Sequence, residues 1–232
     1  MPWIRYIVYF FGIAVITAMI VVLEVAFPGS LKLHIVHRPE DVFGTSEHSP
    51  IEYIQLVILA ACGLLMAWVA RYCPSQRPIA FVFGGLALIF FIRELHYFFD
   101  RVFADNFWQV LIAIPASLLI AYVVRQWRRF KIAWARIWPS PGMALLFAGA
   151  VILFAFVHLV GHGGLWQSIM DDNYVRAVKL AVEEFIELSG YFLWLIGTIE
   201  YAYQARAIAY REPQPAAQRL REKRRHDQEG PY

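Results

Sequence analysis

The sequence predicts an all-α, polytopic membrane protein with six transmembrane helices and both the N- and C-termini in the cytoplasm. Three observations predict it. Apolar residues make up 59% of the 232 and charged residues 17%, where soluble domains run near half and a quarter. The apolar residues gather into six runs, over 7–27, 51–70, 78–99, 107–124, 143–162 and 185–203. Each run is close to the ~20 residues a helix needs to cross the hydrocarbon core. Finally, with the N-terminus inside, 15 of the 21 lysines and arginines fall on the cytoplasmic side, as the positive-inside bias requires.

Each element has a local reason. The first run stops at Phe27-Pro28-Gly29-Ser30, since proline and glycine end a helix. Glu24 stands where a signal peptide would build its small-residue cleavage site, so the run reads as an uncleaved span. The second run opens with Ser49-Pro50-Ile51-Glu52, a capping box with proline at the first helical position. The third ends in FFIRELHYFFD, residues 90–100. The fourth leads into a connection, 125–141, that holds five lysines and arginines. The fifth closes with FVHLVGHGG and the sixth begins in AVEEFIELSGY. One transmembrane domain, 1–205, is followed by a basic tail, 206–232. The tail reads as a disordered cytoplasmic segment, with anionic lipid as its alternative partner. Cys62 and Cys73 offer neither a disulfide framework nor a CxxC metal spacing.

The charges sort by side. Thirteen of the 18 acids and six of the seven histidines fall on the outer half. Topology rules concern lysine and arginine, so the histidine bias needs another cause. Counting up from each cytoplasmic edge at about 1.5 Å per residue puts polar groups of five spans into one thin layer under the outer surface. These are Glu24, Glu52, Arg93 with Glu94, His158 with His162, and Glu187, with Glu183 and Glu184 just above. Ionisable groups at that depth cost a few kcal/mol and face a bundle interior or a wet cavity.

Each candidate has a bland reading beside the chemical one. Glu52 is explained as a helix cap. Arg93 and Glu94 point about 100° apart on a helix, so each is expected to find its partner on another span. Arg93, His96 and Asp100 share one face by spacing. Arg93 suits a carboxylate or phosphate, held bidentately. His158 and His162 at i, i+4 would put both rings on one helical face, as metal-binding helices do. Glu184 and Glu187 share a face that Tyr191 continues. Acids near a helix start are favoured by its dipole, which accounts for Glu183 or Glu184 but not for Glu187, a turn further in. Acids this close disfavour joint ionisation and call for a cation between them: Arg93, a metal or a proton. Glu200 is assigned to the cytoplasmic interface. His34, His37 and His48 read as solvated loop residues.

Two metal chemistries fit the inventory. In the first, His96, His158 and His162 bind one zinc, with a water in the fourth position and Asp100 or Glu187 as general base. HLVGH, the pairing of His96 with Asp100 in HYFFD, and the SPIEYIQ helix start resemble the membrane hydrolase superfamily of alkaline ceramidases and adiponectin receptors. That resemblance implies a metal-dependent hydrolase acting on a lipid or other amphiphile. The family has seven spans with its paired histidines on the last, whereas here an acidic helix follows them. In the second chemistry, Glu52, Glu94, Glu184 and Glu187 join His158 and His162 as the ligand set of a di-iron or di-manganese oxidase.

The rival classes are a cation- or proton-coupled transporter, and a scaffold whose polar layer is structural. IEYIQ, IREL and VEEFIELSGY are also similar to bacterial inner-membrane proteins with acidic helix starts, which implies that compartment and membrane lipid as the surroundings. Assembly as a homo-oligomer is compatible with six spans. No serine-hydrolase, Walker or dinucleotide motif occurs, and nucleic acid is not an expected partner.

Overall fold

The computed structural model describes residues 2–27, 50–103 and 107–211, apart from the side chains of Pro2, Trp3, Tyr97, Asp100, Arg101 and Ala177. It is all-helical over these residues. The helices are α1 (Pro2–Ala26), α2 (Pro50–Tyr72), α3 (Arg77–Glu94), α4 (His96–Val102), α5 (Phe107–Arg125), α6 (Trp127–Ile137), α7 (Pro141–Val151), α8 (Val157–Gly161), α9 (Gly163–Met170) and α10 (Arg176–Arg211). Most of the expected tail, together with the loop carrying His34, His37 and His48, lies outside the described residues.

Five segments are long and apolar enough to cross a membrane: Ile4–Ala26, Pro50–Tyr72, Pro74–Glu94, Phe107–Arg125 and Pro141–Gly161. They match the first five expected runs. The expected sixth, 185–203, lies inside α10, whose 36 residues include Glu183, Glu184, Glu187 and Glu200. Glu187, Thr198 and Glu200 are buried in it, so α10 is helical without being uniformly apolar.

Three expectations about element ends change. The third run does not continue as one helix: α3 ends at Glu94, Leu95 has φ −93° and ψ 10°, and α4 restarts at His96. The fifth crosses as α7, a π-helical turn over Ile152–Phe156, and α8. The sixth begins nine residues early, at Arg176. Glu183 and Glu184 therefore sit about two turns into α10, beyond the first turn where a helix dipole acts.

The core forms where α10 packs against α7 and α2, with α3 alongside α2. Glycines set the α7–α10 approach. A Cβ on Gly142 would stand 2.6 Å from the Tyr201 backbone nitrogen, and one on Gly197 would stand 2.8 Å from that of Leu146. Small residues let helix backbones approach this closely in lipid, where dispersion and hydrogen bonding replace the hydrophobic drive. On the other side of α10 the filling is aromatic. The Trp194 ring lies 5.9 Å from Phe83 and 5.6 Å from Phe90, both edge-on.

The first helix, α1, is attached differently. Ile20 is its one buried residue among those described. A cleft of about 740 Å³ lies between α1 and α10, lined by Ile13, Ile20 and Val21 on one side and Phe185, Leu188 and Phe192 on the other. Near the other end of α1, the Tyr9 hydroxyl donates to Glu200 Oε1 at 2.8 Å, and Arg5 Nε lies 3.2 Å from the same oxygen. Glu200 is fully buried, so Tyr9→Phe is expected to cost about 1–2 kcal/mol by removing a donor to a buried carboxylate. Hydrogen exchange should then rise in α1 while the α7–α10 pair stays protected. Unchanged exchange in α1 would show that the clamp does not hold it.

Candidate functional site

The expected polar layer assembles around Arg93, near the end of α3. Its guanidinium pairs with Glu187 of α10, and Nη2 also lies 3.3 Å from Glu94 Oε1. The first contact is the cross-span pair that the sequence calls for. The second corrects the expectation that Arg93 and Glu94 avoid one another. A long arginine side chain folds back far enough for the neighbouring carboxylate to share its fork. Glu187 is 5% exposed, so this ion pair is screened mainly by protein. Arg93 is about one-third exposed along its side chain, so the cluster is open at this end.

Two further residues close the cluster. The Tyr191 hydroxyl, one turn below Glu187, donates to Glu94 Oε1 at 2.6 Å. Gln55 of α2 donates through Nε2 to Glu184 Oε2 at 3.2 Å. Glu184 lies within electrostatic reach of Glu94, Glu183 and Arg93. Three helices thus bring Glu94, Glu184 and Glu187 to one guanidinium, a tyrosine and a glutamine. Gln55 is fully buried, and its Oε1 has no hydrogen-bond partner among the described residues. Sequence reasoning passed over it, although a glutamine one turn beyond Glu52 in an apolar span was the available signal.

Other candidates stand apart from this cluster. His96 Nδ1 lies 2.7 Å from the Arg93 carbonyl oxygen, and its ring packs edge-on 5.9 Å from Trp108. Asp100 lies in α4, with its side chain outside the described residues. Glu52 is half-buried in the first turn of α2. Its capping partner Ser49 is likewise outside the described residues.

His158 and His162 are both exposed. α8 ends at Gly161, and His162 has extended backbone, φ −75° and ψ 103°. His162 is the residue between α8 and α9, and its ring lies against Gly164, 3.1 Å from where a Cβ would stand. Among the described residues, no group of three or more histidines, cysteines, aspartates and glutamates is arranged to hold a metal ion. One link does join the histidine segment to the acidic turn: Glu183 Oε1 lies against Gly161, 2.6 Å from where a Cβ would stand. The same carboxylate takes a 2.6 Å ion pair from Lys179.

Glu200, set aside in the sequence reading, is the other buried acid, and it belongs to the α1 clamp rather than to this cluster. The chain matches no protein-family model, no curated protein and no solved structure.

Proposed function

We propose that this is a six-span protein of a bacterial inner membrane, with both termini cytoplasmic, that binds and exchanges a cation at the Arg93 cluster as part of cation- or proton-coupled transport. The observation that carries the reading is the surplus of acid: Glu94 and Glu187 share one guanidinium, and Glu184, held by Gln55, lies within electrostatic reach of both Glu94 and Arg93. Like charges this close disfavour joint ionisation, and burial near the membrane surface adds to the cost. The arrangement calls for a second positive charge, and a proton is the smallest that fits. Arg93 would hold Glu187 ionised. The proton would move between Glu184 and Glu94, with Gln55 and Tyr191 fixing their orientation.

Infrared titration of purified protein tests this. The expected result is a protonated-carboxyl band near neutral pH that disappears in Glu184→Gln and persists in Glu200→Gln. No such band, or one lost only with Glu200, would sink the reading.

The second reading is a metal-dependent hydrolase or oxidase acting on a lipid or other amphiphile. The contact of Glu183 with Gly161, between the two histidines, favours it. His158 and His162 would supply imidazoles, Glu183, Glu184 or Glu187 would supply carboxylates, and zinc, iron or manganese would be the divalent metal. Elemental analysis of wild type beside the His158→Ala/His162→Ala variant separates the two. A stoichiometric metal in the wild type, lost in the variant, would move the assignment to the metalloenzyme. Metal-free protein after repletion would leave the proton reading.

A further inference from the structure

The connection between α5 and α7 is a built surface. Arg125, Arg128, Arg129, Lys131 and Arg136 are all exposed there, and no aspartate or glutamate occurs anywhere from 107 to 170. α6 sorts this segment into faces. Trp127, Phe130, Trp134 and Trp138 recur at three- and four-residue steps and stack as a ladder. Successive centroids are 5.9, 5.6 and 5.2 Å apart. Phe147 of α7 closes edge-on against the last two rungs, at 5.9 and 5.4 Å. Beside the ladder, Ala133 and Ile137 are buried where α6 meets the rest of the fold. At about 100° per residue, Arg128, Arg129 and Arg136 fall away from the ladder, while Lys131 lies on its side with Nζ 5.8 Å from the Trp127 ring centre. A short helix with aromatics on one side and cations on the other lies in the plane of a membrane interface, rings toward the acyl boundary and cations among the headgroups.

Two other helices contribute to the same place. Tyr122 of α5 lies within electrostatic reach of both Arg129 and Arg77, and its ring packs 5.0 Å from Phe81 of α3. Arg77 is held by a 2.8 Å hydrogen bond from Nε to the Ala70 carbonyl, which engages Nε alone. Arg77, Tyr122 and Arg129, from three helices, thus lie within electrostatic reach of one another on the cationic side of α6, a donor set suited to a phosphate diester.

We propose that α6, with Arg77 and Tyr122, is a docking surface for the anionic phospholipid headgroups of the leaflet it faces. Charge complementarity selects the occupant: the surface is wholly cationic, and the ladder requires an acyl boundary beside the phosphates. The proposal is independent of the Arg93 cluster.

Native mass spectrometry of the full chain in detergent, titrated with phosphatidylglycerol or phosphatidylcholine of matched acyl chains, tests it. The expected preference for phosphatidylglycerol is about fivefold or more, lost on adding salt. The Arg77→Gln/Arg128→Gln/Arg129→Gln variant should bind both lipids alike, and wild-type helicity by circular dichroism would show that it is folded. Equal binding by the wild type, or a preference that survives both the salt and the substitutions, would overturn the proposal. So would glycerol phosphate competing as well as the lipid, since the ladder would then play no part. Should the triple variant misfold, Arg128→Gln and Arg129→Gln, tested singly, are each expected to lower the preference, and no change in either would be fatal.

Discussion

Arg93→Gln is expected to cost the protein about 3 kcal/mol of stability, among the largest effects of any polar substitution in this chain. The reason is the partner left behind. Glu187 is 5% exposed, and its charge is compensated by the Arg93 guanidinium. Breaking a buried pair by removing one partner leaves an uncompensated charge, whereas replacing both partners with apolar groups is often close to neutral. Arg93→Met/Glu187→Met should therefore recover most of what Arg93→Gln loses. Denaturant titrations of the single and double variants in mixed micelles would measure this. A double variant no more stable than the single would mean that the pair's geometry, rather than its charge, holds α3 to α10. The same pair of variants bears on function. If the cluster binds a proton, the stable double variant should retain the fold and lose the exchange, since it removes the fixed charges beside Glu94 and Glu184.

Gly142→Ala is expected to destabilise by about 2 kcal/mol or more, from a single added methyl. That methyl would stand 2.6 Å from the Tyr201 nitrogen and 2.9 Å from its Cα. Both are backbone atoms of a helix, so no rotamer change relieves the clash and α7 must move away from α10. Gly12→Ala is the control, because a Cβ there meets nothing within 4 Å. It should be neutral or slightly stabilising, alanine being the better helix former. Thermal unfolding of both in detergent would decide the matter. Equal midpoints would show that the α7–α10 approach is slack.

How much of this was legible in the sequence differs from level to level. The all-helical character and five of the membrane-length segments follow from apolar runs of the right length, because a chain in lipid must satisfy its backbone within each helix. Of the five-span layer expected, the fold joins the Arg93–Glu94 pair of α3 to Glu187 of α10, with Glu184 within electrostatic reach, while Glu52, His158 and His162 stand apart. Which groups share a face was not legible, because that depends on where helices break. The third run breaks at Leu95, between Glu94 and His96, and the fifth ends at Gly161, just before His162. The early start of α10 at Arg176 removes the dipole explanation for Glu183 and Glu184.

Composition alone also hid two features. A run of basic residues, 125–141, counts toward topology whether it is a loop or a helix, and only the fold stacks its aromatics into a ladder. Glu200 reads as interfacial by its distance from the helix end, and only the fold shows that it is fully buried, with Arg5 and Tyr9 of α1 both on its Oε1. The sequence by itself determined the position of each polar group along its apolar run, since that is a one-dimensional count of residues. Only the tertiary structure decided which of them touch, since contact depends on the rotation, breaks and neighbours of helices far apart in the chain.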